Sequence, residues 1–331
     1  MSVLAERAAL AAPRDRSQRR RTARTRAHSP LRDRLEYGVI RAAAGILGVL
    51  PLGLALRVGE AVAFFGYLLD RRHRRIGMRN LAIAFPEKPL AERRRILRAS
   101  LFNLGRTVAE IAHLPRLTDE DLREMVRFAD EEWWHSELMK ARATGALILS
   151  GHFGNWELLV YAHGRRGFPV YMVHRTLRNG LIDRWFNAVR ARAGTRLVRK
   201  SRATKDVLRA LRERGLLVMP FDQNSTRGLG TFVDFFGLPA STNTGIARVA
   251  LRAGVPVAPV FIVRQGRGAR HVVHALPLLH LAPSGDMEGD VQRYTQQLSV
   301  VFEEMVRRYP EQWLWVHRRW KTRPHGEPRF Y

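Results

Sequence analysis

Ala146-Leu147-Ile148-Leu149-Ser150-Gly151-His152-Phe153-Gly154-Asn155-Trp156-Glu157 is the stretch on which the reading of this chain turns. It begins with an apolar run of strand length, passes through a glycine-containing turn, and continues as a helix over residues 158–163. His152 and Glu157 are the two groups here that exchange protons near neutral pH. In one unbroken helix, five residues rotate the chain by roughly 500° and the two side chains diverge. With His152 in the turn and the helix starting near Asn155, both face one point at the strand's carboxyl end, where open α/β sheets place ligands. An imidazole oriented by a carboxylate is the minimal apparatus for taking a proton from a hydroxyl. The plain alternative is a turn histidine beside a solvated glutamate.

Outward from this stretch, strands and helices alternate. Residues 169–174 read as a strand ending in Arg175, and 216–221 as a strand ending at Asp222-Gln223. Strands follow at 255–263, carrying Pro256 and Pro259, and at 271–276, with a last extended piece at 313–317. Helical periodicity covers 90–111, 119–140, 181–193, 204–214, 244–252 and 290–309. A polar, glycine-rich loop spans 224–230. This is an α/β pattern without internal repeats. Three polar sites follow strand ends: His152 with Glu157, Arg175, and Asp222-Gln223 with Arg227. Singly, Arg175 reads as a solvated loop arginine. Together the three supply a base, its orienter, and cations to hold a phosphate or stabilise an oxyanion.

The 331 residues carry 57 Lys and Arg against 30 Asp and Glu, a formal charge of +27. That excess calls for a polyanionic partner: nucleic acid, an anionic membrane face, a phosphorylated lipid or an acidic protein. With no cysteine, disulfides, thiolate catalysis and cysteine metal sites are excluded. There is no Gly-x-Ser-x-Gly elbow, and His152 has no second histidine one turn away, so serine-hydrolase and zinc-protease readings fail. No zinc-finger or RNA-recognition signature accompanies the basic residues.

Residues 1–34 form an arginine-rich segment read as a disordered basic tail, as an arm lying on anionic lipid, or as a transit peptide. Residues 35–70 are strongly apolar and broken at Pro51-Leu52-Gly53. Neither half reaches the roughly 20 apolar residues of a span, and both flanks are basic. The preferred reading is a re-entrant or in-plane helical pair with both ends cytoplasmic. One tilted span and a buried hairpin are its rivals. The run Trp313-Leu314-Trp315-Val316-His317-Arg318-Arg319-Trp320-Lys321-Thr322-Arg323-Pro324 interleaves aromatics with cations. Its three readings are stacking on bases, seating at a lipid interface, and an edge strand packing its tryptophans inward.

The ordered set of motifs resembles the glycerolipid-type acyltransferases, and more specifically the late (secondary) lauroyl and myristoyl transferases of lipid A biosynthesis. Asn80-Leu81 with Phe85-Pro86-Glu87 is similar to that family's early motif. Ser150 to Glu157 is similar to its catalytic motif, and Trp315 to Pro324 to its closing signature. The resemblance covers residues 35–331 and leaves out the arginine-rich extension. It implies a mixed sheet flanked by helices, a membrane anchor over 35–70 and an acyltransferase domain over 71–331.

The implied reaction is acyl transfer from acyl carrier protein to a hydroxyl of a Kdo-bearing lipid A precursor at the cytoplasmic face of the inner membrane. His152 would be the general base and Glu157 its orienter. Arg175, Arg227, Arg318 and Arg319 would bind substrate, with Asp222 and Gln223 placing them. No cofactor or metal is implied. Relatives with the same motif blocks acylate other membrane glycolipids from coenzyme A thioesters. The competing readings are a basic nucleic-acid-binding protein whose histidine is structural, and a non-catalytic membrane scaffold.

Overall fold

A computed structural model describes residues 29–174, 176–199 and 203–331. Arg175 and residues 1–28 of the basic tail lie outside the described residues. The apolar N-terminal stretch forms two helices, α1 (Pro30–Val49) and α2 (Leu52–Leu69), followed by α3 (Arg71–Ala84) and the long α4 (Leu90–His113). The break falls at Pro51, which has no N–H to extend α1 and whose restricted φ suits the residue leading into α2. Ala55, Leu56 and Gly59 of α2 are buried. They face α4, where Ala109 joins Ala55 and Leu56 in a small apolar cluster. Gly59 and Gly105 allow the two helix backbones to touch, since a Cβ on either would strike the other's carbonyl oxygen. Arg106 of α4 donates to Glu60 at 2.5 Å across the same seam. The opposite face of α2 is apolar and exposed, with Val62, Phe65 and Leu69 uncovered. Among the described residues α2 is the one helix long and apolar enough to cross a membrane.

The charged stretch expected to be one helix over 119–140 is divided into α5 (Asp119–Met125), β1 (Val126–Phe128) and α6 (Glu131–Thr144). Two caps explain the division. Thr118 and Asp121 close a reciprocal capping box, and Asp130 accepts the Trp133 N–H to start a second helix. Between them Val126 is fully buried and pairs with the sheet.

Alternation then continues through β2 (Ala146–Ser150), α7 (Trp156–Arg165), β3 (Val170–His174), α8 (Gly180–Ala191), β4 (Arg196–Arg199), α9 (Ala203–Arg212) and β5 (Leu216–Pro220). A hairpin of β6 (Gly230–Phe235) and β7 (Leu238–Asn243) follows, then α10 (Gly245–Ala253), β8 (Val257–Arg264), β9 (His271–Ala275) and α11 (Met287–Arg308). The main sheet runs in the order β1-β9-β8-β2-β5-β3-β4. Neighbours are parallel except β8 and β9. β3 and β4 precede β5 in the chain, yet β5 inserts between β2 and β3. On the other side of β2 lies β8, so the sheet changes direction of winding at β2.

Both faces of this sheet are covered, which is why its strands read as continuous apolar runs. Leu147 and Leu149 of β2 point into a core with Phe261, Phe302 and the tryptophans of the closing segment. Ala146 and Ile148 point the other way, against Leu158, Leu159 and Ala162 of α7. The closing segment is not the strand expected at 313–317. After a short 3-10 turn (Pro310–Gln312) it runs through turns, joined to residue 153 by one isolated bridge at Trp313. Trp313, Trp315 and Trp320 are buried. The inward-packing reading is therefore the correct one, and these rings are not available to stack on bases or lipid.

Candidate active site

β2 and β5 are in register, with Ser150 opposite Pro220, and Phe221 N–H extends the ladder to the Ser150 carbonyl at 3.0 Å. Two residues beyond each paired end stand His152 and Asp222. His152 Nδ1 lies 3.0 Å from Asp222 Oδ1, and the other carboxylate oxygen accepts Trp313 Nε1–H at 3.0 Å. Asp222 is buried. Burial alone would raise its pKa. The His152 charge and hydrogen bond, with Trp313, outweigh that and hold the carboxyl down at about 2. An ionised carboxylate only accepts, so Nδ1 carries the proton it donates, and in the neutral ring Nε2 keeps its lone pair. For His152 burial pulls the pKa down. The charge and hydrogen bond of Asp222, and then the charge of Glu157, overcome it, and the net shift is upward.

The turn holding the ring is pinned from several sides. Gly154 has φ +56°, and a Cβ there would collide with the Ile262 carbonyl of β8. Gly154 N–H donates to the Gln312 carbonyl at 2.8 Å, and the His152 carbonyl accepts Leu314 N–H at 3.2 Å. Asn155 caps α7 by accepting Leu158 N–H at 3.0 Å. The Trp156 ring meets the imidazole edge-on at 4.9 Å between centroids. Gln223 Nε2 lies 3.3 Å from both ring nitrogens. The His152 side chain keeps 24% of its surface exposed to solvent.

The carboxylate expected to orient His152 was Glu157; in the structure the hydrogen bond belongs to Asp222. Glu157 is buried one residue into α7. It is held by Arg190 of α8 through Nε at 2.9 Å and Nη2 at 2.5 Å, and by Trp156 Nε1–H at 3.1 Å. It acts on His152 through its charge. Asp222, expected to place the arginines, is instead the partner of the imidazole, and Gln223 flanks the ring. Arg227 donates to the Arg323 carbonyl at 3.1 Å. Arg318 is half-buried and lies over the Tyr331 ring.

Arg319 was expected to bind substrate, and its surroundings contradict that. It is 1% exposed and donates to Ser241 O at 3.0 Å and Thr242 Oγ1 at 2.5 Å, tying the closing segment to β7. Burial lowers its pKa to about 10. His317 accepts the Asn224 N–H at 3.0 Å, and burial keeps its pKa below the usual histidine range. It is a neutral strut beneath the loop that carries Asp222. Asn80 of α3 donates to the carbonyls of Trp315 and His317 at 2.6 and 2.7 Å. Among the described residues no group of three or more His, Asp or Glu side chains is placed to hold a metal ion.

Comparison with known proteins supplies the family. A family model for bacterial lipid A biosynthesis acyltransferases matches residues 28–322. The chain is 26% identical over 283 residues to the lipid A biosynthesis lauroyltransferase of Escherichia coli (strain K12), covering 85% of this chain and 90% of that protein. It is 25% identical over 267 residues to the lipid A biosynthesis myristoyltransferase of the same organism, covering 80% of each. It is also 26% identical over 247 residues to the phosphatidylinositol mannoside acyltransferase of Mycobacterium tuberculosis (strain H37Rv), covering 73% of this chain and 75% of that protein. A mixed α/β sheet, a histidine–carboxylate pair at its switch point and a family match over most of the chain converge: this acyl-transferring enzyme belongs to the bacterial lipid A biosynthesis acyltransferase family.

Proposed function

We propose that this enzyme moves a fatty acyl chain from the thioester of acyl carrier protein to a hydroxyl of a lipid A precursor, with His152 as general base. The observation that carries the reading is the His152–Asp222 hydrogen bond, which supports a donor role for Nδ1 and a proton-accepting role for Nε2. Nε2 takes the hydroxyl proton as the alcohol oxygen attacks the thioester carbonyl carbon. The C–O bond forms, the C–S bond breaks, and the imidazolium returns its proton to the departing thiolate. Asp222 stabilises the imidazolium, and Glu157 adds a second negative field.

The charge of +27 suits an acidic carrier protein and a phosphorylated acceptor. Arg175, which follows His174 in the sequence, is the proposed phosphate ligand, with Arg227 and Arg318 as further cationic candidates. The exposed apolar face of α2 and the basic residues flanking it (Arg71, Arg72, Arg75) support attachment to the cytoplasmic face of the inner membrane. The similarity to a phosphatidylinositol mannoside acyltransferase favours a second reading, with another membrane glycolipid as acceptor; the donor proposed with it is an acyl coenzyme A.

The test supplies purified protein with acyl carrier protein or coenzyme A thioesters and with either glycolipid, and follows the product by mass spectrometry. The expected outcome is transfer from the carrier protein to the lipid A precursor, reduced about 10²- to 10⁴-fold or more in His152→Ala. Full activity in that variant would defeat the mechanism, and transfer only from coenzyme A to the mannoside would select the second reading.

A further inference from the structure

Beneath the His152 turn lies a buried charge cluster that the proton-transfer step does not use. Glu110 of α4 is fully buried. Its Oε1 accepts Arg264 Nη1 at 2.5 Å and His271 Nε2 at 3.0 Å, and its Oε2 accepts Arg264 Nη2 at 2.7 Å. The side chains of Arg264 and His271 are 1% and 0% exposed. Burial would raise the Glu110 pKa, but His271 and Arg264 together bring it down to about 2, so the group is ionised. Desolvating such charges gives little net stability over apolar residues of the same volume. What they offer that apolar packing cannot is direction.

That direction leads to the site. Glu110 Oε2 also accepts the Asn155 side-chain N–H at 2.7 Å, and the same amide's oxygen caps α7 at Leu158. The two ends of the Asn155 amide are thereby distinguished, with the nitrogen toward α4 and the oxygen toward α7. Asn155 is itself fully buried, three residues from the imidazole. We propose that Glu110, braced by Arg264 and His271, is a positioning residue that fixes the Asn155 amide and through it the height of the His152 turn against Asp222. This rests on His152 being the base.

Three variants test it. Asn155→Ser keeps a good helix cap and leaves the Glu110–Arg264–His271 cluster whole, but its hydroxyl is too short to reach Glu110. Asn155→Thr does the same and fills more of the vacated space. We expect Asn155→Ser to lower kcat about 10- to 100-fold, the scale set by small misplacements of a reacting group, with KM and melting temperature near wild type. Glu110→Gln, whose amide nitrogen cannot accept from Arg264 and Asn155 as Oε2 does, should lose kcat on the same scale. Wild-type kcat in Asn155→Ser or in Asn155→Thr overturns the proposal. A fall in kcat that follows lost melting temperature in every variant overturns it too, because the role is then only structural. Should Asn155→Ser not fold, Asn155→Thr decides alone. His152→Ala is assayed beside them. If it is fully active, the general-base reading itself fails; if it is inactive while Asn155→Ser is unimpaired, only the positioning role fails.

Discussion

Asp222 reaches the imidazole of His152 by a hydrogen bond and Glu157 by its field alone, so removing one or the other has different consequences. His152 has a raised pKa, so its neutral, proton-accepting form is lost as pH falls through a value above the ordinary 6.5. In Asp222→Asn the strongest raising influence is gone. The acid limb of the rate profile should move to lower pH while kcat falls about 10²-fold or more. Glu157→Gln, removing the smallest of the raising influences, should move that limb less. Rate profiles across pH for the two variants check this order. The same linkage sets stability. The pair's contribution is complete between the ordinary aspartate value of 3.8 and the ordinary histidine value of 6.5. It fades above, as pH rises through the folded His152 pKa, and below, as pH approaches about 2. The sequence marks both His152 and Asp222 as polar residues just past strands, but it does not pair them. They lie 70 residues apart, and they meet because β5 inserts beside β2 after two other strands have been laid down. The five-residue spacing to Glu157 is local and so drew the pairing, whereas its true partner Arg190 lies inside an amphipathic helix with nothing to distinguish it.

Among elements, the strand–turn–helix unit around β2 and α7 was legible because three signals agree there: an apolar run, paired glycines and an Asn cap. Its rigidity depends on Gly154, whose φ of +56° and contact with the Ile262 carbonyl leave no room for a side chain. Gly154→Ala should destabilise the protein by about 2–4 kcal/mol through strain and overpacking, with activity lost in proportion to displacement of the turn. Denaturant unfolding and the transfer assay read the two effects. β1 leaves no mark in the sequence because Val126-Arg127-Phe128 is short and lies in charged surroundings, and its pairing to β9 reveals it. The closing segment reads as extended in the sequence because its alternating tryptophans mimic a strand. Their rings instead fill the space between α11 and the hairpin, with Phe235 5.6 Å from Trp313 and 5.8 Å from Trp320.

Over the whole molecule, α4 connects the apolar face to the site. Arg106 holds α2 through Glu60, and one turn later Glu110 holds Asn155. The inner face of α2 is committed to α4, so on the membrane-bound reading the helix lies along the bilayer surface with Val62, Phe65 and Leu69 toward lipid. Val62→Asp with Phe65→Asp should weaken co-sedimentation with anionic phosphatidylglycerol vesicles by at least about tenfold, since burying each such side chain is worth about 1.5–3 kcal/mol. Melting should be unchanged, because both side chains are exposed in the free protein. Vesicle binding equal to wild type would remove α2 from the interface.

The row of polar groups along α3 and α4 has a bearing on how the protein is born. Asn80, Ser100 and Asn103 donate to backbone carbonyls of residues 311–317, between 208 and 237 positions later in the chain. As the polypeptide leaves the ribosome those donors lack these partners until residues 311–317 have been translated. Closure over such separations is slow and comes late in folding. The nascent chain therefore cannot assemble working chemistry piecemeal, and on the proposed reading a half-made copy transfers no acyl group.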